Sequence, residues 1–274
     1  MNKNNVRKTI LKSCLFSVCA FAASAHAAYN WYFSWGYNKD YWSNSDIHIS
    51  QPGLRSDFVV NNVAASDDPG WTNGLFNTDL MSPQYNIRLG RYLNKAQTWA
   101  VELNFDHTKY NTNYNQIVYV NGVVNGAPYA GNYALTKDYF SYMLHNGFNN
   151  LMLNVVRRKE FAHIPKTNMK LYGIAKVGAG VLLPHPMNTI MGNTVNVGPK
   201  AWGNYFGARN GWWQLGGWTT GVELGLQLSL YKTIYAEITN KEAYNSLSDI
   251  QVYQGRADQT VWLNETIFSL GTAF

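Results

Sequence analysis

Residues 222–230 read VELGLQLSL, five apolar side chains interleaved with Glu223, Gly225, Gln227 and Ser229. A period of two puts one set on each face of an extended strand. The same alternation recurs in segments of about 9 to 11 residues, the length a tilted strand needs to cross the apolar layer of a bilayer. After the first 27 residues no apolar run approaches the roughly 20 residues of a membrane-spanning helix. Strands, not helices, are therefore the elements from which this chain builds a membrane crossing.

Eight segments fit the rule: 29–37, 84–93, 98–109, 150–158, 169–183, 220–231, 234–241 and 266–274. In the first, Tyr29, Trp31, Phe33, Trp35 and Tyr37 share a face opposite Asn30, Ser34 and Gly36. The last, TIFSLGTAF, ends on Phe274, a C-terminal aromatic that resembles the assembly signal of bacterial outer-membrane barrels. Short joints (94–97, 159–168, 232–233) alternate strictly with long connections (38–83, 111–149, 184–219, 242–260), which gathers every long connection at one end. The expectation is all-β: an eight-stranded antiparallel transmembrane up-and-down β-barrel with long extracellular loops and short periplasmic turns. Aromatic residues at 15%, charged residues at 14% and 23 glycines suit a lipid-facing barrel better than a soluble sandwich.

The N-terminus reads as an export signal over residues 1–27. Lys3, Arg7, Lys8 and Lys12 precede the apolar run CLFSVCAFAA and the small-x-small site Ala25-His26-Ala27, leaving 28–274 as the barrel domain. Without those four cations the formal charge falls from +6 to about +2, so the basic balance implies no nucleic-acid partner. Both cysteines, Cys14 and Cys19, lie in the signal, so the exported chain carries no disulfide, zinc thiolate or cysteine nucleophile. Cys19 follows Phe16-Ser17-Val18, which does not fit a lipoprotein site.

Eight strands enclose a lumen just filled by side chains, which argues against a pore. The alternation turns Arg88, Glu102, Asp106, Lys170, Lys176, Glu223, Glu237 and Glu265 inward, and charges buried there must pair, so they read as a plugging network. Within the long connections, Asn121-Gly122 between IVYV and VV signals a hairpin, and 45–63 carries two extended runs around Pro52-Gly53.

Chemistry, if present, belongs at the extracellular end. His48, His107, His145 and His185 fall there, with Asp46, Asp67, Asp68, Asp79, Asp106 and Asp138 for company; His163 is periplasmic. Imidazoles and carboxylates together suit general acid/base work or a divalent metal, although no pair has the fixed spacing of a zinc motif. Solvated loop residues and polar rim anchors are the simpler account of them. Ser50 near His48 and Ser141 near His145 have only the proximity that chance supplies. NGWWQLGGW, residues 210–218, suits carbohydrate stacking or an interfacial tryptophan belt. On the third segment Asp106 turns inward with Glu102, whereas His107 and Lys109 share the outward parity of Leu103 and Phe105. That places His107 roughly 20 Å above Trp99, at the level of the outer-leaflet headgroups.

SDIHI (45–49), SDFVV (56–60), PQYNIRLG (83–90), FDHTK (105–109), NLMLNVVRR (150–158) and GAGVLLPH (178–185) occur in that order. Together they resemble a Gram-negative outer-membrane barrel family that includes lipid A oxidase-type proteins. The resemblance implies lipid A as substrate, oxidised at its proximal glucosamine by molecular oxygen. It makes His107, His48, His185 and Asp46 the catalytic candidates and Lys109 a ligand for a lipid A phosphate, with a divalent metal as the conceivable cofactor. Two function classes follow: an enzyme modifying or binding lipopolysaccharide at the extracellular rim, or a non-catalytic structural or adhesive barrel. Either way the expected setting is the bacterial outer membrane, with its lipids, lipopolysaccharide and the barrel assembly machinery as partners and a monomeric state.

Overall fold

The computed structural model describes residues 29–70, 83–195, 197, 206–207 and 211–274. The export signal expected over 1–27 and the candidate Asp79 lie outside the described residues. Twelve strands form one antiparallel sheet: β1 (Trp31–Trp42), β2 (Ser45–Gln51), β3 (Ser56–Val63), β4 (Tyr85–Tyr92), β5 (Trp99–His107), β6 (Ile117–Val124), β7 (Ala127–Ala134), β8 (Phe148–His163), β9 (Lys170–Pro184), β10 (Gly217–Tyr231), β11 (Ile234–Val252) and β12 (Gly255–Ala273).

Eight of them run in the order β1-β4-β5-β8-β9-β10-β11-β12, and β12 pairs back onto β1 from Tyr32↔Ala273 to Trp42↔Leu263. Closure abolishes free edges in this ring, which is the condition for strands to lie in hydrocarbon. Its outer face carries exposed Leu103, Leu153, Val177, Leu224, Ile238 and Leu270, whereas its inner face buries Ser34, Asn104, Asn154, Glu223 and Lys241. That inversion of the usual soluble pattern defines a transmembrane β-barrel. Among the described residues no helix is long and apolar enough to cross a membrane. With the short turns and both strand ends at the periplasmic rim, the protein is an integral outer-membrane barrel.

The connection expected over 242–260 is instead strand. β11 and β12 have 19 residues each and meet at a tight turn through Tyr253-Gln254. Nineteen residues span roughly 60 Å, well beyond an apolar band about 25 Å tall, so both project far above the membrane. They look like a loop in the sequence because their outer face turns polar once it leaves lipid. The inner face turns the other way, carrying Ala243, Leu247, Val261 and Leu263 above the charged lumen. Similarly, β8 continues through 159–163, past a bulge between Glu160 and Ala162.

β2, β3, β6 and β7 extend the sheet from the projecting part of β12 in the order β12-β2-β3-β6-β7. The runs around Pro52-Gly53 are β2 and β3, joined by a single 3-10 turn, Pro52–Leu54. The hairpin of the second connection exists, but it turns at Asn125-Gly126, not at Asn121-Gly122. Asn125 and Gly126 have φ of 53° and 81°, the left-handed pair that a tight hairpin of two residues requires. Gly122 lies inside β6 opposite Phe58, where a Cβ would run into the backbone of Asp57. These strands close over one apolar core, including Ile47, Phe58, Val120, Leu144, Phe148 and Ile250. The long connections are thus a packed extracellular β-domain.

Candidate functional site

Three groups of polar side chains stand apart. The first fills the lumen. Arg88 pairs with Asp106 and lies 3.6 Å from Glu102 and 3.7 Å from Glu223. Lys176 lies 3.2 Å from Glu102 and 3.0 Å from both Glu223 and Glu237. Lys241 bridges Asp106 to Glu265, and the Tyr32 hydroxyl donates to Glu102 at 2.9 Å. Strand alternation places all of them, since each sits on the inward parity of its strand. Lys170 does not belong to this network. It stands at the periplasmic end, 41% exposed, paired with Glu160 at 2.9 Å, because it is the first residue of β9. Sequence reading missed Lys241 and Asp40, both fully buried. Lys241 shares the parity of Glu237, and Asp40 would have appeared had the first segment been carried past Tyr37.

The second group lies on the outer wall at the rim. Tyr85, His107, Asn149 and Leu183 form one row across β4, β5, β8 and β9. His107 Nδ1 is 2.6 Å from Asn149 Oδ1, and its ring stacks on Tyr85 at 4.8 Å. The Asn149 amide donates to the Leu183 carbonyl at 2.7 Å. His185 Nδ1 donates to the Trp212 carbonyl at 2.6 Å, with ring centroids 4.0 Å apart. A carbonyl can only accept, so Nδ1 carries the proton and Nε2 is bare; Nε2 is buried without a hydrogen-bond partner. Burial pushes the His185 pKa down, against the pull of the Trp212 carbonyl.

His107 keeps the outward parity of Phe105, yet it is only 7% exposed. Residues 212–213 fold down over this wall, with Trp213 against Phe105 at 5.5 Å. The histidine is therefore covered by protein rather than presented to lipid. Lys109 is covered as well: its Nζ lies 3.9 Å from Asp68, beside His145 Nε2 at 3.6 Å from the same carboxylate. Burial lowers the Lys109 pKa, and burial together with Lys109 lowers that of His145. The neighbouring Lys39 is paired with Asp67.

The third group lies on the open face of the extracellular sheet. His48 Nε2 is 3.0 Å from Asp57, and its Nδ1 is 3.6 Å from Asp258. The His48 hydrogen bond holds the Asp57 carboxyl below its usual range. Asp46 accepts the backbone N–H of Asn62 at 2.7 Å. Asp57 takes the His48 Nε2, and Nδ1 faces Asp258.

The four catalytic candidates therefore do not converge. His48 sits level with Asp258 on β12, whereas the His107 row sits level with Phe268, roughly 33 Å along the strand. Among the described residues no three His, Cys, Asp or Glu side chains gather in a metal-holding group.

No protein-family model matches the chain, and no curated protein matches it. Solved structures do. Neisserial surface protein A is 10% identical over 89% of this chain and 97% of its own, with a TM-score of 0.36. The outer membrane protein AlkL is 11% identical over 92% and 94%, with a TM-score of 0.39. OprG, an outer membrane protein from Pseudomonas aeruginosa, is 12% identical over 91% and 98%, with a TM-score of 0.35. The fold rests on the closed strand order itself.

Proposed function

We propose that this barrel is a non-catalytic surface protein, a plugged pedestal holding a rigid β-domain against extracellular macromolecules. The observation that carries this reading is the single apolar core shared by all four connections. Loops that served only to join strands would not need one. The sheet's outer face bears His48, Asp57, Asp258 and a 2.7 Å contact between the Asn61 and Asn121 side chains, beside Tyr119 and Ile117, 48% and 73% exposed. Flat, mixed-polarity faces with exposed aromatics suit protein or glycan contact. Cells displaying Tyr119→Ala with Asn61→Ala should lose attachment to surfaces or host cells, while His107→Ala with His185→Ala should attach normally. The reverse pattern rejects the reading.

A second reading, modification of lipid A in the outer leaflet, draws on the outer wall. His107 and His185 flank β8 at the headgroup level, with a bare His185 Nε2 as proton acceptor. Mass spectra of lipid A from cells with and without the protein decide it: identical spectra remove it.

A further inference from the structure

The buried lumen charges do not balance. Among the described residues, Asp40, Glu102, Asp106, Glu223 and Glu265 are buried against only Arg88, Lys176 and Lys241. The lower lumen adds Glu237 and the half-buried Arg158, which cancel. Two negative charges remain in excess. Every one of the buried carboxylates except Asp40 has a cation within 4 Å. An uncompensated carboxylate in so dry a site is several kcal/mol unfavourable, so something neutralises it.

The surroundings of Asp40 indicate what. Asp40 is the cross-strand partner of Glu265, which puts two carboxylates side by side. The Asn38 amide donates to Asp40 Oδ1 at 3.2 Å. Asn38 Oδ1, Asp40 Oδ2 and Glu265 Oε1 are all buried without a hydrogen-bond partner, and so are both polar atoms of the Asn86 amide on the adjoining strand β4. Four unsatisfied oxygens on three neighbouring strands, two of them anionic, are the donor types that a hard divalent cation takes. Calcium suits it better than magnesium, because it accepts carboxylate and amide oxygens in irregular geometry. Trp42, packed on Phe148 at 4.6 Å and Tyr110 at 5.3 Å, roofs the site with Leu263.

We infer that Asp40, Glu265, Asn38 and Asn86 bind one calcium ion at the top of the lumen, where it joins the charged barrel interior to the apolar extracellular core. An ion under such a roof exchanges slowly, so it must enter during folding. The test is therefore to refold the full mature chain from urea into detergent with calcium or with EDTA, then desalt it. Wild type folded with calcium should retain one ion per chain by atomic emission. Its loss of the heat-sensitive gel mobility shift should move at least 5 °C above that of the EDTA sample. Asp40→Asn should lower retained calcium at least tenfold and make the two midpoints coincide. If that variant shows no folded band, the uncharged exchange Asn38→Ala supplies the same comparison, and Asn38→Asp should raise retention. No retained calcium and equal midpoints in wild type would overturn the site and leave a proton shared by Asp40 and Glu265.

Discussion

Arg88 touches three carboxylates from β5 and β10, and it is the group through which the lumen's halves communicate. Removing one member of a buried charge cluster strands the rest, at about 3–5 kcal/mol. Arg88→Met should lower the unfolding free energy measured in urea by that amount, and Arg88→Lys by less, because a lysine keeps the positive charge but lacks the planar fork that serves three partners. At the rim, His185 titrates below the ordinary histidine range because of burial. A depressed folded pKa means the unfolded chain binds more protons, so this stability is present above pH about 6.5 and is lost as pH falls further. The Trp212 cover should therefore loosen in acid. Backbone amides of 211–214 should exchange faster at pH 5 than at pH 7.5 after correction for intrinsic rates, and His185→Gln should abolish the difference.

At the scale of elements, the β6–β7 hairpin depends on two glycines in different ways. Gly126 supplies the second left-handed turn position, and Gly122, at φ 138°, lets β6 approach β3. Gly122→Val should detach the hairpin from β3, leaving the barrel folded but exposing 113–136 to limited proteolysis. Gly131→Ala, with only ordinary contacts to Tyr129, should leave digestion unchanged. The sequence shows both Asn-Gly pairs but not which one turns. Local chemistry is equal at the two sites, and pairing with β3 decides. The same limit hid the upper halves of β11 and β12, whose alternation persists while the polarity of each face reverses above the lipid. Carrying the first segment past Tyr37 would have exposed Asp40; Lys241 already lies on the inward parity of segment 234–241, yet the expected network omits it.

For the whole molecule, paired charges fill the lumen and Trp42, Tyr110 and Phe148 pack on one another above it. Purified protein in planar bilayers should give no stable single-channel conductance, and regular steps of fixed size would contradict the packing. Closure of β12 onto β1 is completed by paired backbone hydrogen bonds between Trp31 and Phe274 at 3.0 and 2.8 Å. Deleting Phe274 should therefore sharply reduce the heat-modifiable form in outer-membrane fractions. The sequence by itself determined the barrel: strand count, inward and outward faces, and the end at which the long connections gather all follow from a period of two and from segment spacing, which are local properties. Only the tertiary structure decided which residues meet. It covered His107 with the Trp212 segment, separated His48 from His185, set Asp40 beside Glu265 and gave the connections a core of their own. Those are contacts between distant parts of the chain, fixed by closure and burial, and no local pattern encodes them.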